Sequence, residues 1–133
     1  MNKRLEGKVS LITGGSRGLG KAMAIAFAKE GAKAIGITYV TQEESARETC
    51  EEINSYGCTA YMNRVEVTNR KSIKDWLKQI SAAEGQIDVL VNNAGINRAG
   101  PLDTVTEEDW DDIMAVNLKG PFLVSQEVLP MMV

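Results

Sequence analysis

At 133 residues, with 44% apolar and 25% charged side chains, the chain has the size and composition of one globular domain, able to bury roughly 65–70% of its unfolded surface. A net charge of −3 without any basic block argues against nucleic acid as a partner. No apolar run approaches the ~20 residues of a membrane span and no signal peptide is evident, so no membrane partner and a cytoplasmic location are expected.

Taken in order, the chain alternates strand-like and helix-like periods, the pattern of a parallel sheet with helices on its faces. Val9 to Thr13 reads as a first buried strand. A helix over Gly18 to Lys29 follows, with Leu19, Met23, Ala26 and Phe27 on one face and Gly31 closing it. Ala34 to Tyr39 is a second strand, and a helix from about Glu43 to Asn54 presents Ala46, Cys50 and Ile53 before Gly57 ends it. Thr59 to Val67 gives a third strand. Ile73, Trp76, Leu77 and Ile80 mark a helix that stops near Gly85, and Ile87 to Val91 is an almost continuously apolar fourth strand. Thr106 with Asp109 resembles a weak capping box, and Trp110, Ile113 and Met114 carry a helix onward. A right-handed βαβ layout gives strand order 3-2-1-4, with the fourth strand on an open edge.

The chain has no histidine, which removes Ser-His-Asp and Cys-His mechanisms and most zinc sites; no metal is expected. Cys50 and Cys58 lack the spacing of a metal or redox motif and read as buried free thiols. Any acid or base must come from carboxylates, Lys, Tyr or a cofactor.

The stretch TGGSRGLG, residues 13–20, places Gly14, Gly18 and Gly20 between a strand and a helix. Bare backbone there lets a phosphate approach the free N–H groups and positive end of the helix. A tight strand-to-helix turn is the alternative. The spacing differs from G-x-G-x-x-G. Asn92 and Asn93 sit at the carboxyl end of the fourth strand, beside the crevice where a doubly wound sheet reverses its order, or else form only a turn. Pro121 has no N–H, so the carbonyl of Asn117 is denied its α-helical bond; either a free acceptor or a simple kink results.

Together TGGSRGLG, NNAG (residues 92–95) and VNLKG (residues 116–120) resemble the short-chain dehydrogenase/reductase family, most of all its 3-oxoacyl-[acyl-carrier-protein] reductases, over about Leu5 to Val133. The resemblance implies a Rossmann-type doubly wound α/β fold over residues 1–133. It places a dinucleotide against Gly14, Ser16, Arg17, Gly18, Leu19 and Gly20, with Asn93, Ala94 and Gly95 near the adenosine ribose. Glu66 and Val67 stand where the family has Asp-Val against adenine, the longer acid being a departure. Asn117 is the family's helix asparagine, whose carbonyl holds a water in a catalytic proton relay. The residues GITYV, 36–40, put no acid at the end of the second strand, while Arg17, or Lys21 instead, supplies a cation; this favours NADP over NAD, although Arg17 also reads as a solvated loop charge.

The family transfers hydride between nicotinamide and a carbonyl with a Ser and a Tyr-x-x-x-Lys pair. Tyr39, Tyr56 and Tyr61 have no lysine at that spacing, so those groups are expected beyond residue 133 and the chain is read as the amino-terminal half of the enzyme. The expected partners are a small-molecule or acyl-carrier-protein-linked carbonyl substrate and, at full length, further copies in a tetramer. A non-catalytic dinucleotide-binding or interaction module is the alternative, and an extended-branch epimerase is disfavoured by the glycine spacing and NNAG.

Overall fold

The computed structural model describes residues 3–98 and 100–132. Parallel strands β1 (Val9–Ile12), β2 (Ala34–Tyr39), β3 (Thr59–Arg64) and β4 (Val89–Val91) form one sheet in the order β3-β2-β1-β4. Helices α1 (Gly18–Lys29), α2 (Glu43–Ser55) and α3 (Arg70–Glu84) connect them. After β4 come α4 (Glu107–Met114), a π turn (Ala115–Lys119) and α5 (Gly120–Met132). The doubly wound order expected from the sequence is the one that forms: the chain starts at β1, winds outward to β3, and crosses to β4 on the other side of β1.

Side chains of a strand alternate between faces, and β1 shows the result. Ile12 joins Ile35 and Ile37 of β2, Ala24 and Ala28 of α1, and Ala46, Cys50 and Ile53 of α2 on one face. Leu11 faces the other way, onto Ile73, Trp76 and Ile80 of α3 and Leu123, Val124 and Val128 of α5. With both faces covered, β1 is buried throughout. Residues of β4 are only half-buried, more open than their apolar run suggests, because the strand lies at the sheet edge.

The face of α1 differs from the expected one. Gly20, Ala24 and Ala28 turn inward, Met23 and Phe27 are half-buried, and Leu19 and Ala26 are exposed, Leu19 at 71%. A stripe of small residues lets the helix lie close to the sheet, and that closeness outweighs the larger apolar side chains beside it. The strands are also shorter than their patterns. Pairing of β3 stops at Arg64 opposite Tyr39, where β2 itself ends, and β4 pairs with β1 only from Val89 opposite Ser10. Asp88, just before β4, accepts from the N–H of Val9 at 2.8 Å, and that bond holds its carboxyl below the usual range.

Asn69 caps α3 by accepting from the N–H of Ser72 at 3.1 Å, and Gly85 closes it in the left-handed region, φ 74°. Cys50 and Cys58 are free and buried, and burial pushes both thiols up to about 11. Trp110 is exposed, while Ile113 and Met114 are half-buried. Among the described residues, no helix is long and apolar enough to cross a membrane.

Candidate functional site

The residues after β1 are held by side chains from three neighbouring elements. Thr13 Oγ1 accepts from the N–H groups of Asn93 and Ala94, at 3.0 and 2.9 Å, joining the glycine turn to the segment after β4. Asn93 returns the contact, its Nδ2 donating to the carbonyl of Gly14 at 3.0 Å. The N–H of Gly14 donates to Thr38 Oγ1 of β2 at 3.0 Å, and Thr49 of α2 donates to the carbonyl of Ser16 at 2.9 Å. Two glycines are required by this crowding. Gly14 has φ 66°, and a Cβ there would stand 3.0 Å from the Cα of Ala94; a Cβ on Gly20 would collide with the carbonyl of Gly14 and the amide of Asn93.

What this turn leaves unpaired matters most. Arg17 is the N-cap of α1 in extended conformation, and no side chain caps the helix. By contrast, Asn69 caps α3 and Thr106 caps α4. Five successive N–H groups, Ser16 to Gly20, have no acceptor among the described residues. Such groups concentrate the positive end of the helix and suit an anion.

Those of Ser16, Arg17 and Gly18 border a cleft of about 910 Å³. Gly14, Ser16, Arg17 and Gly18 form one wall, Thr38 to Gln42 and Val65 to Thr68 the strand ends, and Asn93 to Ile96 the opposite wall, with Arg98, Asp112, Ala115 and Val116 beyond. Nine of the residues singled out in sequence thus share one space: Gly14, Ser16, Arg17, Gly18, Glu66, Val67, Asn93, Ala94 and Gly95. Leu19 and Gly20 do not line it; the side chain of Leu19 points to solvent, and Gly20 is buried beneath the turn. Lys21 lies outside the lining as well.

Charge around the cleft is uneven. Arg17 is exposed and has no ion-pair partner among the described residues. Glu66 pairs with Arg64 at 3.1 Å, and Val67 is buried against Gly120. Thr38 to Gln42 includes no acid, and Glu43 beyond it pairs with Arg47 at 3.4 Å. Arg98 and Asp112 were not found by sequence reasoning. Arg98 lies three residues past NNAG, a proximity that offered a signal, whereas nothing in the pattern around Asp112 marks it.

Asn117 does not line the cleft but shapes it. Its Oδ1 accepts from the N–H of Ile96 and its Nδ2 donates to the carbonyl of Ile96, both at 2.8 Å, clamping the segment after NNAG. The expected break at Pro121 takes the form of a π turn, in which the N–H of Gly120 donates to the carbonyl of Ala115 while the helix continues. The missing N–H of Pro121 is absorbed by widening, so neither a stop nor a restart is needed.

The family model for short chain dehydrogenase matches residues 8–133. The chain belongs to the short-chain dehydrogenase family. Among its relatives, the 3-oxoacyl-[acyl-carrier-protein] reductase FabG of Vibrio cholerae is 46% identical over 125 residues, covering 94% of this chain and 49% of that protein. The FabG of Thermotoga maritima is 43% identical over 130 residues, 98% of this chain and 52% of that one. A solved short chain dehydrogenase of Burkholderia cenocepacia in complex with NADP superposes with TM-score 0.91 at 36% identity, covering 97% of this chain and 52% of that structure. This short-chain dehydrogenase chain therefore spans about half the length of the relatives it matches.

Proposed function

We propose that the chain is the dinucleotide-binding portion of an NADP-dependent reductase acting on 3-oxoacyl or similar carbonyl substrates. The observation that carries the reading is the run of unpaired N–H groups that begins at Ser16, Arg17 and Gly18 on the wall of a cleft closed opposite by Asn93, Ala94 and Gly95. The cleft fits a dinucleotide: its glycines leave main chain uncovered, and a Cβ position at Gly18 opens onto free space. The bound nicotinamide supplies the hydride. The N–H groups of Ser16, Arg17 and Gly18 meet the pyrophosphate, and Asn93, Ala94 and Gly95 meet the ribose. Arg17 meets a 2′-phosphate, which the acid-free segment Thr38 to Gln42 tolerates. Asn117 holds the loop at Ile96, and its carbonyl, which Pro121 cannot cap in α-helical fashion, orders a water for proton transfer. The NADP complex of the Burkholderia relative and the FabG names of the others support this reading.

Calorimetric titration of the chain with NADPH and NADH tests it. NADPH is expected to bind more tightly, and Arg17→Ala to weaken NADPH about tenfold, the low end for a charge-assisted bond at an exposed site, while leaving NADH nearly unchanged. Equal affinities in the wild type would overturn the NADP preference. Failure to bind either nucleotide would overturn the dinucleotide reading itself.

A further inference from the structure

The buried hydroxyl of Thr49 has no place in the reading above, yet it touches the glycine turn directly. Thr49 is fully buried on α2, and its Oγ1 lies 2.9 Å from two carbonyls, that of Ser45 one turn back and that of Ser16 in the turn. The hydroxyl shares its one proton between them, and the first contact is the usual back-bond of a helical threonine. The second spans 33 positions in sequence and reaches the one peptide that introduces Arg17. No cis peptide occurs among the described residues, so the Ser16–Arg17 unit is trans and planar. Fixing its carbonyl toward α2 therefore turns the N–H of Arg17 the opposite way, and that N–H has no acceptor in the chain's described residues.

The geometry points to Thr49 as a positioning residue for the dinucleotide, holding the Ser16–Arg17 peptide so that its N–H faces the pyrophosphate. This rests on the dinucleotide reading. Thr49 does not itself line the cleft. It works through the carbonyl it grips, and because the pyrophosphate is common to both nucleotides, its effect is shared by NADPH and NADH. That separates it from Arg17, whose side chain distinguishes them.

The test is Thr49→Val, which keeps the shape and removes the hydroxyl, beside Thr49→Ser, which keeps the hydroxyl. Both are titrated with NADPH and NADH. Thr49→Val is expected to weaken both nucleotides about fivefold, the scale of one hydrogen bond, and Thr49→Ser to restore both. A folded Thr49→Val that binds both as the wild type does overturns the inference, as does a loss confined to NADPH or one that Thr49→Ser does not restore. A purely structural role would lower the melting temperature without moving either affinity. If Thr49→Val does not fold, the wild-type chain decides: saturating NADPH must shift the Arg17 amide resonance, and a resonance that stays in place refutes the assignment. Absence of any binding by the wild type would instead strike the dinucleotide reading.

Discussion

Replacing Gly20 by alanine sets local propensity against packing. Gly20 lies in the first turn of α1 at a negative φ, so propensity alone predicts that alanine gains about 1 kcal/mol. The structure predicts the opposite. The added Cβ would strike the carbonyl of Gly14, lie 2.5 Å from Asn93 Nδ2 and stand 2.9 Å from the Cα of Gly15, and two of those three neighbours are backbone. Relief requires moving the turn, which costs about 1–3 kcal/mol, and parting Asn93 from Gly14, which costs about 1 more. Net of propensity, the loss is about 2 kcal/mol. With an unfolding entropy of about 0.28 kcal/mol/K for a chain this long, the melting temperature should fall about 7 °C. Gly57→Ala is the control: φ is 83° and no atom lies within 4 Å of the new Cβ, so only backbone strain of about 1 kcal/mol applies. Thermal melts followed by circular dichroism compare the three proteins. A Gly20→Ala chain that melts at or above the wild type would refute the close packing of α1 on the glycine turn.

Asn117→Ala removes both bonds to Ile96 from a solvent-exposed site, so the expected cost is only about 1 kcal/mol, whereas amide exchange at Ile96 should accelerate several-fold. Unchanged exchange at Ile96 would show that the clamp does not hold the loop. Cys50 and Cys58, raised from 9.0 to about 11, carry roughly a hundredfold less thiolate at pH 8 than an unshifted thiol. Native protein should therefore react slowly with an aromatic disulfide reagent, gaining about tenfold in rate per pH unit, and release both thiols at once in urea; a fast native reaction would contradict their burial.

The sheet order and the place of the cleft were legible in the sequence because they follow from coarse alternation, strand against helix, and from glycines where backbone must come close. The face of α1 was not. Leu19 and Phe27 carry the apolar weight of that helix, but the sheet selects Gly20, Ala24 and Ala28 by size, a choice visible only once β2 is beside them. Residues 65–67 carry a strand pattern, but β2 ends opposite Arg64 and leaves them only one bond to that strand, from the N–H of Val65 to the carbonyl of Tyr39. Thr49 sits in ETCEEI, where a threonine looks like any polar position; only the fold reveals that it reaches Ser16. Pro121 marks the carbonyl of Asn117 in the sequence, whereas the hold of its side chain on Ile96 is visible only in the fold.

A site made of main chain cannot be tuned by exchanging its own side chains, so its aim must come from what surrounds it. Thr13 at the head of the turn ties it to the segment after β4, Thr38 of β2 and Thr49 of α2 meet it from two further sides, and each is buried to 2% exposure or less. All three are neutral, and that choice matters as much as their reach. A carboxylate in place of Thr13 or Thr38 would also accept from an N–H, but its charge would oppose the field that attracts an anion, and one in place of Thr49 has no proton to give the carbonyl of Ser16. Hydroxyls fix the geometry and leave the potential intact. The positive end of α1 is thus kept available, with the cation of Arg17 adding to it at the wall of the cleft.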